Sequence, residues 1–204
     1  MTRIAIIIGS TRPDRLGPAV AHWLLELAKQ RGDADYELVD LADFDLPHLD
    51  EPLPASTGQY TRPHTHALAE TVASFDGFVF VTPEYNHSYP GVLKTAIDLV
   101  YAEWHHKAAG FVGYGADGGI RAVEHLRGVM GMLLVADVRA QVALSLYDDF
   151  ADFVRPAPRE RQTGLAGTML DELVAWAGAL APLRAAARPG HVRRTGTAAS
   201  RSRV

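Results

Sequence analysis

The chain has no cysteine among its 204 residues. That excludes disulfide staples, a cysteine nucleophile, and zinc or iron–sulfur sites built on thiolates. Long apolar runs are also missing: stretches such as Ile4 to Ile8 are strand-sized, far short of the roughly 20 residues that span a bilayer. No secretory leader is legible, because Met1-Thr2-Arg3 passes into that short run and then into a glycine turn. A cytoplasmic protein without a membrane partner is expected. Basic surplus is lacking too. The formal charge is −4, and six of the 20 Lys and Arg residues (Arg184, Arg188, Arg193, Arg194, Arg201, Arg203) fall in the last 21 positions, which hold no acid, so residues 1–183 carry −10. A body of that sign presents no positive field to a duplex, and no nucleic-acid partner is expected.

What remains is the composition of an ordinary globular domain, with 48% hydrophobic and 22% charged residues. Short β-branched runs alternate with helical patterns, which is the signature of βαβ units and an open parallel sheet. The strand runs are Arg3 to Gly9, Tyr36 to Asp40, Gly77 to Thr82, Ala108 to Tyr114 and Val138 to Ser145. Three of them, the first, third and fourth, are nearly continuous in apolar residues, as strands covered on both faces should be. Leu16 to Arg31 reads as a helix, with Pro18 suited to its first turn and Gly32 to its stop. Apolar residues at helical spacing recur from Val92 to Val100 and from Ile120 to Leu133. A last helix is expected over Thr168 to Leu180, with Thr168 and Asp171 at capping-box spacing. Residues 41–65, rich in proline and acid, read as a long surface loop that could flank a site. From Ala185 onward the Arg-rich sequence has no apolar period and is expected to be a disordered extension of a 1–184 domain.

Ligands of open parallel sheets bind outside the carboxyl ends of the strands, where the strand order reverses. The loop after the first strand, Gly9-Ser10-Thr11-Arg12-Pro13-Asp14-Arg15-Leu16-Gly17, leads into a helix N-terminus. It suits a phosphate through free N–H groups and the helix end, with Arg12 and Arg15 adding charge-assisted bonds. A capped helix with solvated arginines fits the same residues. The loop after the third strand, Pro83-Glu84-Tyr85-Asn86-His87-Ser88-Tyr89-Pro90-Gly91, is pinned by proline at both ends and presents aromatic and amide groups. After the fourth strand, Gly113-Tyr114-Gly115-Ala116-Asp117-Gly118 satisfies G-x-G-x-x-G, with Asp137 about 20 residues on, the spacing of a dinucleotide fingerprint. The other reading of those glycines is a backbone that can approach a planar ligand closely. Histidine pairs His64/His66 and His105/His106 lack partners at metal-ligand spacing, so no metal is expected.

At these residues the sequence resembles the NADPH-dependent FMN reductases of flavodoxin-like fold. The resemblance is carried by Gly9-Ser10-Thr11-Arg12, by Thr82 to Ser88 continuing through Pro90 to Asp98, and by Gly118-Gly119-Ile120-Arg121-Ala122. It implies a three-layer α/β sandwich with a five-stranded parallel sheet of order 2-1-3-4-5. By similarity, Ser10, Arg12 and the backbone of residues 11–17, Leu16 and Gly17 included, would hold the FMN phosphate. Arg15 would serve the FMN or the 2′-phosphate of NADPH. Pro83, Glu84, Tyr85 and Asn86 would border the isoalloxazine, with Tyr114, Gly115, Gly118 and Gly119 approaching from the other side. His87 stands where a substrate could be touched.

The resemblance further implies a homodimer or homotetramer, with NADPH or NADH as co-substrate. The flavin's N5 would carry the hydride chemistry, so no protein nucleophile is required. Electrons would pass from NAD(P)H to a small-molecule acceptor such as a quinone, an azo compound or free flavin, by ping-pong kinetics. An FMN-binding electron carrier without a nicotinamide site, and a dinucleotide-binding protein without flavin, are the rival readings.

Overall fold

The computed structural model describes residues 1–187. Its central sheet is built from β1 (Arg3–Ile8), β2 (Asp35–Asp40), β3 (Gly77–Pro83), β4 (Ala108–Gly115) and β5 (Ala136–Ser145). The strands lie in the order β2-β1-β3-β4-β5, and every neighbouring pair is parallel. This is the flavodoxin-like order that the resemblance implied.

Strand chemistry sets the layers. Along β1, Ile4, Ile6 and Ile8 face one core, while Ala5 and Ile7 face the other. The first core is closed by α1 (Gly17–Lys29) and α5 (Glu160–Ala179), through residues such as Leu24 and Leu173. The second is closed by α2 (Pro63–Ala73), α3 (Gly91–Leu99) and α4 (Ile120–Met132), and it holds the aromatic group Phe78, Phe80, Trp104 and Phe111. Period-2 alternation therefore fills both faces with apolar side chains.

Three expectations are corrected. Residues 41–65 are not one irregular loop: short 3₁₀ turns occupy Leu41–Phe44 and Ala55–Thr57, and α2 begins at Pro63. Its remaining length is pinned inward, because Tyr60 donates to Glu103 at 2.8 Å and accepts the Tyr101 N–H.

The last long helix starts eight residues before Thr168, at Glu160. Thr168 sits inside α5 and donates to the Gly164 carbonyl at 3.2 Å, so it caps nothing. Between β5 and α5 stands an unforeseen hairpin of β6 (Phe150–Ala151) and β7 (Arg155–Pro156). Asp149 anchors it: the wholly buried carboxylate accepts N–H groups from Ser145 and Arg159 and the Arg159 guanidinium.

Ala185, Ala186 and Ala187 also fall within a helix, α6 (Ala181–Ala187), which Arg184 ties to Asp76 at 2.9 Å and to the His106 carbonyl. The rest of the expected disordered tail lies outside the described residues.

Candidate functional site

The order reverses at β1, whose neighbours are β2 on one side and β3 on the other. The turns that leave the carboxyl ends of β1, β3 and β4 meet there, as expected for this topology.

The first turn begins at Gly9, whose N–H donates to Val81 of β3. Ser10 follows, 1% exposed, with its Oγ 2.9 Å from the Tyr85 hydroxyl. That contact joins the β1 and β3 turns. Arg12 is exposed and has no ion-pair partner among the described residues. Arg15 differs: it pairs with Asp40 at the end of β2 at 2.5 Å, and both side chains are about one-fifth exposed. The fold thus spends Arg15 on closing the turn against the sheet. Leu16 precedes α1 without a side-chain cap, and no acid stands in the helix's first turn. The N–H groups of Thr11, Asp14, Arg15 and Leu16 find no acceptor among the described residues. Open donors, an uncapped helix end and an unpaired guanidinium are together the features that favour an anion.

Gly17 enters α1 against Tyr114. A Cβ there would stand 3.1 Å from the Tyr114 hydroxyl, so any larger residue would crowd the ring. Tyr114 is 4% exposed. Burial first, and then the nearby Tyr85, push its phenol above the usual value against the pull of Arg12 and Arg15. The hydroxyl stays protonated beside Gly17. Tyr114's ring therefore braces the start of α1 inside the core.

The second turn is a two-residue hairpin. Tyr85 and Ser88 exchange backbone hydrogen bonds of 2.8 and 3.2 Å, and Asn86 and His87 between them have φ of 47° and 74°. Both central residues are left-handed, the mark of a type I′ turn, and Asn and His are among the side chains that tolerate it. Pro83 is buried, whereas Tyr85, Asn86 and His87 are exposed at the rim. Glu84 turns away from solvent. Its carboxylate accepts the Arg121 N–H at 3.1 Å and pairs with the Arg121 guanidinium, whose other nitrogen reaches Asp117 at 2.8 Å. Glu84 is thus the partner of a cation at the start of α4 rather than a free base.

The third turn is folded on itself. A Cβ on Gly119, whose φ is 66°, would lie 2.6 Å from the Tyr114 nitrogen, so packing against β4 explains this glycine without a ligand. Gly118 is likewise buried, and only Gly115 opens toward the rim, beside Glu84. The fingerprint reading of G-x-G-x-x-G fails on position. Asp137 pairs across from Ala109, while Gly115 pairs with Ser145, so Asp137 lies at the opposite end of the sheet, bound to Arg127 at 2.5 Å.

The family model described as NADPH-dependent FMN reductase matches residues 2–149, a span that contains all three turns. The chain belongs to this family. It is 43% identical over 149 residues to an NAD(P)H-dependent FMN reductase of Schizosaccharomyces pombe, covering 72% of this chain and 74% of that one. A 2-hydroxy-1,4-benzoquinone reductase of a Burkholderia species is 35% identical over 138 residues, 64% of this chain and 71% of that one. Among solved structures, the NAD(P)H:acceptor flavoenzyme FerB of Paracoccus denitrificans superposes with a TM-score of 0.67 at 24% identity, over 88% of this chain and 98% of that one. The chain is therefore an oxidoreductase that works with FMN and a reduced nicotinamide.

The three turns singled out in the sequence meet in the fold, but two side chains that shape them were passed over. Arg121 was legible only as part of a glycine-led motif. His125, whose Nδ1 lies 2.9 Å from the Ser88 hydroxyl, gave no signal beyond standing four residues further along the same helix face. Among the described residues no cluster suits a metal ion.

Proposed function

We propose that the three turns form a single FMN site in which the β1 turn holds the phosphate and the β3 and β4 turns border the ring. The observation that carries this reading is the fit of the β1 turn to a phosphate. It supplies open N–H donors at an uncapped helix end beside an unpaired Arg12, and no carboxylate in the helix's first turn to repel an anion.

In this reading Ser10 and Arg12 contact the phosphate with the backbone of residues 11–17, while Arg15 acts indirectly through Asp40. Pro83, Glu84, Tyr85 and Asn86 offer main-chain edges to the ring, with Tyr114 and Gly115 opposite, while the buried Gly118 and Gly119 fold the turn that presents them. Bound FMN supplies the redox chemistry, taking hydride from NAD(P)H and passing electrons to an acceptor. The protein's own groups bind and orient, and Glu84, neutralised by Arg121, is not asked to move a proton. His87, exposed at the turn's tip, faces the incoming substrate. We assign quinones as the acceptor class, because a related chain bears that activity. Residues 1–184 form the catalytic domain of a cytoplasmic homodimer or homotetramer.

Initial rates test the cycle. With NADPH and a quinone varied together, donor and acceptor using one site in turn give parallel double-reciprocal lines. Lines that converge at every substrate ratio would show a ternary complex and overturn the shared site.

A further inference from the structure

We propose that Arg121 is a positioning residue for the flavin ring, acting through Glu84 on the Pro83–Ser88 turn; this rests on the FMN reading above. Two left-handed residues, Asn86 and His87, sit at the turn's tip, with φ of 47° and 74°. Such backbone costs free energy and persists only where the surroundings hold it. The turn's own hydrogen bonds between Tyr85 and Ser88 do part of this work. Helix α4 does the rest, gripping the turn on both sides of the tip. On the near side, Glu84 takes both the main-chain N–H and the guanidinium of Arg121. On the far side, His125 meets the Ser88 hydroxyl at 2.9 Å. Arg121 and His125 are one helical turn apart and share a face of α4.

The exposure of the pair shows which end is anchored. The Glu84 side chain is 10% exposed and that of Arg121 is 40% exposed, so the carboxylate is the embedded member, seated at a helix N-terminus that favours its charge. The guanidinium fork then spans from Glu84 to Asp117 at 2.8 Å, joining the β3 turn to the β4 turn. A lysine's compact ammonium lacks the planar fork that reaches both carboxylates from separate nitrogens. The two turns that border the ring are thus held in register by one side chain. The phosphate cradle connects to this pair of turns through the Ser10–Tyr85 contact.

The test separates ring from phosphate by comparing FMN with riboflavin, which has the ring and no phosphate. With Arg121→Gln, both dissociation constants should rise by about tenfold, the effect of one charge-assisted hydrogen bond, and their ratio should hold. Arg121→Lys should give a smaller loss of the same pattern. Glu84→Gln reads the same contact should Arg121→Gln fail to fold, and in the double variant the two losses should not add. A loss confined to FMN, or unchanged riboflavin affinity in a folded variant, overturns the proposal while leaving the FMN site standing. A wild-type protein that binds neither flavin overturns both.

Discussion

Arg12 and Arg15 lie three residues apart in one turn, and the fold gives them different work. Asp40, at the end of the neighbouring strand, captures Arg15 and leaves Arg12 as the cation free to meet an anion. Sequence alone offered both, since the partner of Arg15 is 25 residues away and is chosen by strand order rather than by local spacing. A charge-assisted hydrogen bond is worth roughly 1.5–3 kcal/mol, and each 1.4 kcal/mol is about tenfold in affinity. Arg12→Ala should therefore weaken FMN binding by about 10- to 150-fold while riboflavin binding is nearly unchanged. Flavin fluorescence quenching measures both, and an unchanged FMN constant would move the phosphate elsewhere. The glycines of the β4 turn carry a related lesson. Their motif was visible, but Gly119 answers to the backbone of β4, which a Cβ would meet at 2.6 Å and which no motif records.

Elements with local signals were legible and those finished from a distance were not. Helix α1 announces itself with Pro18 in its first turn and Gly32, at φ 67°, beyond its end. Helix α2 also opens on a proline, Pro63, but its C-cap is Ser74 and no glycine directly follows its end. Its cap position is Arg62, which makes no capping bond, and the acceptor comes from Glu51, which takes the N–H groups of Thr61 and Arg62 at 2.9 and 3.0 Å. At the other end, the buried Lys107, just before β4, donates to the Val72 carbonyl at 2.6 Å, a cation at the negative end of the helix. Both ends are thus completed by residues from other segments, and a reading that looks for caps in sequence places a loop there.

The Glu51 contact makes a pH prediction. Burial pushes its carboxyl up, but the Arg62 and Thr61 donors outweigh that and lower it to about 2 from 4.5. A depressed carboxylate contributes stability that is present above its unfolded value and lost as pH falls through the folded one. Glu51→Gln should therefore be less stable than wild type at neutral pH, with the gap closing as pH falls from about 4.5 toward 2. Amide exchange over 63–68 should speed up first in the variant. A gap in thermal midpoint that does not shrink on acidification would contradict this account of the cap.

At the scale of the whole molecule, the site follows from topology. Parallel strands joined by helices put every carboxyl end on one side, so turns more than 70 residues apart in sequence, such as those of Ser10 and Tyr85, come within hydrogen-bond distance. That convergence was legible because the apolar runs of β1, β3 and β4 mark strands covered on both faces, and such strands belong to an open parallel sheet. What stayed hidden was the joinery between turns. Ser10 to Tyr85, Arg15 to Asp40 and Glu84 to Arg121 are all long-range pairs, fixed by packing rather than spacing. The same topology rejects the rival dinucleotide reading, since Asp137 belongs to the far end of β5.

Titration of FMN into the purified, flavin-free chain, followed by visible absorption, tests the central claim most directly. The account predicts a single saturable site, with the flavin bands perturbed from those of the free coenzyme. A spectrum that remains the simple sum of protein and free FMN at saturating concentration would contradict it.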